Sequence, residues 1–297
     1  MFKRRVWLRR LILIVLILIG SGVAIIIISR RKGGPNHYQI RLAHPAAYAH
    51  SPYWSTDFVN EQFAADTMWH LGADGMWHLG DFTGHWYNIR NGLRVTTNQP
   101  TVYKHTIWLF GSSQIYNAET PDDDTVASDL QRLMPDVRVV NLGIYAAPIP
   151  VQFTRLKLTP VEPGDTVIFF SGVQDVLNST VPTAVLENIR LYAQDHDLRF
   201  AHVLLPHLWT KPLSAYEQAI ADNDTITLPD VRDKLLSTWP DMERMTASLA
   251  QEGVISLDLT HVYDAVRETQ EIYLDYVHVN EVGNKLVAQR LFEALAQ

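Results

Sequence analysis

An α/β sandwich on a mostly parallel five-stranded sheet is the fold that the sequence predicts for residues 101–297, and three observations predict it. Five short runs are apolar at successive positions, as in strands buried on both faces. Amphipathic stretches separate them, so that strand and helix alternate. Turn-forming residues follow the first three runs, at the strand ends where open parallel sheets hold their ligands.

Each element follows in order. The first strand is expected at 106–110 and exits through Gly111-Ser112-Ser113-Gln114. A helix over 125–133 leads to a strand at 137–140, which ends in Asn141-Leu142-Gly143. A helix over 151–158 precedes a strand at 166–170, followed by Ser171-Gly172-Val173-Gln174-Asp175. Helix 182–193, strand 201–205, helix 229–251 and strand 254–258 continue the alternation. The last helix, 281–295, carries Val282, Leu286, Val287, Leu291 and Leu295 as one apolar stripe.

Ahead of this domain, residues 33–100 read as short β-strands and turns rich in aromatic residues, Gly, Asn and Thr, entered through Gly33, Gly34 and Pro35. Met68-Trp69-His70-Leu71-Gly72 recurs as Met76-Trp77-His78-Leu79-Gly80, two copies that suggest a hairpin. Four of the eight tryptophans (Trp54, Trp69, Trp77, Trp86) fall here, either packing this layer onto the next domain or offering a sugar-stacking platform. His70, His78 and His85 lack a partner at a usual metal-ligand spacing.

The first 32 residues predict a membrane anchor. Residues 11–28 are uncharged and apolar on every face, and 18 residues at ~1.5 Å rise span about 27 Å of a bilayer core. Ser29, Arg30, Arg31 and Lys32 follow directly in place of a cleavage site. Five basic residues precede the run against three after it, which places the amino terminus in the cytoplasm and the remainder of a single-pass protein outside.

Charge and composition exclude several functions. Of the 25 basic residues eight precede residue 33, and setting those aside leaves 17 against 32 acidic residues, a net −15 that repels phosphate backbones. Nucleic acid is excluded as a partner on that ground. With no cysteine there is no disulfide framework, thiolate nucleophile or cysteine-ligated metal.

The strand ends hold the candidate chemistry. A glycine permits a tight exit from the first strand, and the residues after it can present a hydroxyl beside backbone N–H groups that stabilise an oxyanion. Near the carboxyl terminus Asp275 stands three residues before His278, close enough for its carboxylate to fix the imidazole tautomer. Asp258 and His261 have the same spacing and form a rival pair. His207, after Pro206 at a strand end, is a candidate for a substrate pocket.

On these motifs the chain resembles the SGNH (GDSL-type) hydrolase family over roughly residues 101–297. FGSSQ (110–114) is similar to the family's first block, with Ser113 in the nucleophile position. Gly143 in NLGIYA matches the glycine of the second, Gly172-Val173-Gln174-Asp175 the third, and Asp275 with His278 the last. The stretch 87–94 looks like the β-segment that precedes the first block in many anchored or exported members. Two positions depart: Ser112 stands where Asp or Gly is usual, and Gln174 replaces the asparagine of the oxyanion hole.

The resemblance implies a three-layer α/β/α sandwich of flavodoxin-like type. It also implies a Ser113–His278–Asp275 triad, an oxyanion hole from Ser113, Gly143 and Gln174, and a serine esterase that needs no cofactor or metal. For an anchored member it implies acyl groups, acetyl among them, on surface glycans or lipids. An O-acyltransferase using the same triad and a non-catalytic glycan-binding module are the alternatives.

Overall fold

The computed structural model describes residues 51–72, 77–223, 227, 229–266 and 270–296. The predicted membrane span at 11–28 and the 33–35 linker lie outside the described residues. Among the described residues no helix is long and apolar enough to cross a membrane.

The aromatic segment begins with a helix that the β-rich expectation did not include, α1 (Thr56–Asp66). Its signals are physical and local. Ser55 caps it by accepting from the Phe58 N–H, and Phe58, Val59, Gln62 and Ala65 recur at helical spacing on the buried face. The WHL repeat pairs as expected: β1 (Trp69–Leu71) lies antiparallel to β2 (Trp77–Leu79), with His70 opposite His78. Strands β3 (Phe82–Thr83), β4 (Asn88–Arg90) and β5 (Leu93–Arg94) form a small antiparallel sheet. Glu61 on α1 holds the β3–β4 connection, accepting from the N–H groups of His85, Trp86 and Tyr87 at 2.6–2.9 Å.

The main sheet contains β6 (Thr106–Phe110), β7 (Arg138–Asn141), β8 (Thr166–Ser171), β9 (Arg199–Leu204) and β10 (Ile255–Asp258), in the order β10-β9-β8-β6-β7. Every pairing in it is parallel. Between them run α2 (Ser113–Tyr116), α3 (Val126–Leu133), α4 (Ile149–Leu156), α5 (Val173–Leu177), α6 (Thr183–Asp195), α7 (Ala215–Ala221) and α8 (Pro229–Gln251), with α9 (Glu281–Leu295) last. Helix α4 starts earlier than the expected 151–158, because Pro150 sits in the first turn, where a missing N–H removes no helical hydrogen bond.

Period-two alternation along the strands builds two cores, one on each face. Ile107, Leu109, Val139, Ile168, Phe170 and Val203 pack with α3 and α9. Phe110, Val140, Val167, Phe169 and Leu204 pack with α4, α6 and α8. The result is helix–sheet–helix layering, as the alternation of elements predicts.

The chain leaves β6 outward to β7 and returns past β6 to β8, so the connections diverge between the carboxyl ends of β6 and β8. Such a switch point opens a crevice. Ser113 follows the first of these strands and Gln174 the second.

Candidate active site

Ser113 is the first residue of α2, three positions past the end of β6. The exit is tight because Gly111 has no side chain: a Cβ there would lie 2.4 Å from Cγ1 of Ile115. Asn117 ends the short helix in the left-handed region at φ 54°, a conformation that asparagine tolerates. Its side chain donates to Gln114 O and Asn284 Oδ1 and accepts from the Val126 N–H, tying α2 to α3 and α9.

Asp275 and His278 lie in a tight loop ahead of α9. A bridge between Tyr273 and Val279 closes it, and the Leu274 N–H donates to His278 O at 2.9 Å. Asp275 Oδ1 accepts from the N–H groups of Val277 and His278, at 2.8 and 2.7 Å, and shapes the turn. From below, buried Glu217 accepts from the N–H groups of Ile272 and Tyr273 and pairs with buried Lys211. Gln114 bridges the two halves, donating from Nε2 to Val277 O at 3.3 Å and Pro206 O at 3.2 Å.

The three side chains meet. Ser113 Oγ lies 2.8 Å from His278 Nε2, and His278 Nδ1 lies 2.6 Å from Asp275 Oδ2. An ionised carboxylate only accepts, so Nδ1 carries the proton and Nε2 is left to accept from the serine hydroxyl. Burial pushes the Asp275 carboxyl upward, but the charge and hydrogen bond of His278, with the two N–H groups, hold it well below the usual carboxylate range. Ser113 is half-buried.

The predicted oxyanion donors divide. Ser113 N–H is at the first position of α2, where no acceptor exists within the helix. Gln174 is half-buried on α5, and among the described residues its amide makes no hydrogen bond with Ser113 or His278. The Gly143 N–H donates to Asn141 Oδ1 at 2.9 Å. The glycine provides close approach: a Cβ there would lie 2.2 Å from Tyr116 N, against the backbone of α2. Asn141 completes the lock by donating to Ile115 O at 2.8 Å.

The third block is structural at its aspartate. Asp175 accepts from Ile149 N–H with one oxygen and Gly172 N–H with the other, at 2.8 and 3.1 Å, pinning the exit of β8 to α4. Burial pushes this carboxyl up to about 7 against the pull of those donors.

The other candidates are held by other partners. His261 pairs with Asp264 at 3.1 Å, while Asp258 accepts from the Thr260 N–H, so the rival pair does not form. His207 is buried with its ring edge-on to Trp239, 4.3 Å between centroids, and its Nδ1 accepts from the Trp209 N–H. The packing reading suits three of the tryptophans: Trp69 lies against Tyr116 and Tyr145, Trp86 against Phe58, and Trp54 against Leu274. Sequence reasoning missed Glu119, a buried acid whose Oε1 is 3.7 Å from His278 Nδ1. Six residues from the serine, it carries no motif that could have marked it.

The sequence matches no protein-family profile and no curated protein. Among solved structures the chain is similar to a member of the lipolytic G-D-S-L family from Veillonella parvula DSM 2008, with 18% identity, TM-score 0.49, and coverage of 65% of this chain and 98% of that one. It is similar to an acetylxylan esterase from Geobacillus stearothermophilus, with 16% identity, TM-score 0.47, and coverage of 66% and 96%. A third similar structure is LAE5, an alpha/beta hydrolase enzyme from the metagenome of Lake Arreo, Spain, with 14% identity, TM-score 0.46, and coverage of 66% and 96%.

Proposed function

We propose that this protein is a serine esterase that cleaves O-acyl esters through an acyl-enzyme on Ser113. The observation that carries the reading is the unbroken relay from Ser113 Oγ through His278 to Asp275, at 2.8 and 2.6 Å. Ser113 Oγ attacks the ester carbonyl carbon while His278 Nε2 takes its proton, and Asp275 stabilises the imidazolium that results. The tetrahedral intermediate then expels the alcohol, which takes the proton from His278. Water, deprotonated by the same imidazole, attacks the acyl-enzyme and restores the serine.

The developing oxyanion is held by the Ser113 N–H and the Gln174 amide. Glutamine keeps the donor of an asparagine on a side chain one methylene longer, and α5 places it beside the crevice. Gly143 joins only if its N–H leaves Asn141. The substrates are acyl esters, acetyl among them, on surface glycans or lipids, reached by a domain held outside the membrane by the 11–28 span. The acidic balance of the chain beyond that span suits neutral rather than polyanionic partners.

The test uses the full chain with p-nitrophenyl acetate and a fluorophosphonate. Ser113→Ala and His278→Ala each lower kcat by at least about 10³-fold, and the phosphonate labels Ser113. Gln174→Ala costs about 10²- to 10³-fold, whereas Gln174→Asn retains turnover. Labelling at another serine, or undiminished hydrolysis by Ser113→Ala, rejects the reading.

A further inference from the structure

The relay leaves unexplained a second acid on the same side of the imidazole. Glu119 is 2% exposed, and its Oε1 lies 3.7 Å from His278 Nδ1. One ligand-type atom from each of Glu119, Asp275 and His278 lies within 4.8 Å of the others. The 2.6 Å between Nδ1 and Asp275 Oδ2 holds a proton rather than an ion.

The position of Glu119 is built from four directions. Buried Arg94 donates to Asn117 O and Thr120 O, on either side of it. Tyr53 Oη lies 3.2 Å from Glu119 O and 3.1 Å from Glu281 Oε2 on α9, and Asn284 Nδ2 on α9 donates to Thr120 Oγ1 at 3.2 Å. Asn117 is fastened to Gln114, next to the serine. A backbone clamped by a β-strand, α9, α2 and the residues ahead of α1 presents its side chain at a fixed point.

Two neighbouring carboxylates repel, and a positive charge between them relieves that repulsion. In the proposed reaction that charge appears on His278 each time it takes the proton of Ser113. Among the described residues, the groups facing the imidazole are Ser113 from α2, Asp275 from its own loop and Glu119 from the segment 117–120. At 3.7 Å Glu119 acts on the imidazole by charge rather than by a hydrogen bond, and a shift of under about 1 Å would turn the one into the other.

We propose that Glu119 is a second carboxylate partner of His278, a positioning residue that stabilises the imidazolium and accepts the Nδ1–H hydrogen bond when Asp275 is removed. The proposal deepens the esterase reading and rests on it for its kinetic consequence. A triad with one acid loses nearly all of its activity when that acid is replaced. A triad with two loses part with either and the remainder with both.

The experiment is a double-mutant cycle on the full chain with p-nitrophenyl acetate. Glu119→Gln alone lowers kcat about three- to tenfold with KM unchanged, and Asp275→Ala stays at least about tenfold above Ser113→Ala. Combining the two brings kcat to the Ser113→Ala level. A purely structural role would move the unfolding midpoint instead of kcat alone. The proposal is overturned if Asp275→Ala already matches Ser113→Ala, or if Glu119→Gln removes nothing further in that background.

A second measurement does not depend on turnover or on Asp275→Ala folding: the low-field proton resonance of His278 Nδ1–H. Glu119→Gln moves it upfield in the otherwise intact chain, and an unmoved resonance overturns the proposal. Should Ser113→Ala leave hydrolysis intact, the esterase reading fails, and this resonance alone decides the role of Glu119.

Discussion

His202 is buried in the sheet, and its partners dictate its protonation. Ser256 Oγ gives its one proton to Thr246 O, so it accepts from His202 Nδ1, and Ser171 Oγ donates to Nε2 at 2.8 Å. The imidazole is a neutral connector of β8, β9 and β10, and burial pushes its pKa down to about 3. Between about 6.5 and 3 the unfolded chain binds a proton that the folded chain refuses, so this contribution to stability is present above pH 6.5 and is lost as pH falls. Burial holds His207 down to about 3 with the same sign. Asp175, raised to about 7, has the opposite one, favouring the folded state as pH falls from 7. Comparing His202→Gln with the parent isolates one of these effects. Between pH 7 and pH 5 the variant's unfolding free energy falls about 2 kcal/mol less than the parent's in urea titrations. Equal falls would mean that His202 titrates normally in the folded protein. No spacing in the sequence distinguishes this histidine from the surface ones, because its environment comes from three strands far apart in the chain.

At the scale of elements, the loops after β6 and β7 are locked by backbone proximity. Gly143 abuts the backbone between Ile115 and Tyr116, and Asn141 fastens both ends of the contact. Gly143→Ala forces a methyl to 2.2 Å from Tyr116 N, against backbone that can yield only by moving α2. The variant is expected to lose about 1–3 kcal/mol in denaturant unfolding, and p-nitrophenyl acetate turnover falls with it because Ser113 rides on the displaced helix. A stable variant with parental kcat would show that the loop tolerates the methyl. The elements themselves were largely legible. Uniformly apolar strands and the 229–251 and 281–295 helices appear where sequence patterning places them, since burial on both faces and an apolar stripe leave a local trace. Helix α1 is less legible, marked only by Ser55 and the 58, 59, 62, 65 spacing. The aromatic and glycine content of its neighbours obscured a pattern only eleven residues long. Helix α7 likewise carries a readable capping box, Ser214 with Glu217.

Across the whole described unit, one buried cation joins the aromatic segment to the sandwich. Arg94 leaves β5 with its guanidinium 4.1 Å from the Tyr87 ring centroid and 5.5 Å from that of Tyr116. It pairs with Asp122 at 2.6 Å and donates to two backbone carbonyls of the segment that carries Glu119. Arg94→Met strands Asp122 in a buried setting, and a loss of about 3–5 kcal/mol is expected in chemical denaturation. The carbonyls it releases loosen Glu119, so the His278 Nδ1–H resonance moves in this variant also. A loss under about 1 kcal/mol would show that the aromatic segment is held by its rings and its other hydrogen bonds rather than by this ion pair.

The α/β class, the strand order along the chain, and the blocks that hold Ser113, Asp275 and His278 are legible in the chain alone. These rest on periodicity and short spacings, which neighbouring residues impose on one another. Tertiary structure alone decided that Ser113 and His278, 165 positions apart, come within 2.8 Å. It also decided that His207 is buried against Trp239 and that Glu119 stands beside the imidazole. Each of those outcomes depends on where separate loops converge at the sheet's switch point. Convergence is set by the packing of distant elements against a common core, and no stretch of chain short enough to read as a motif contains it.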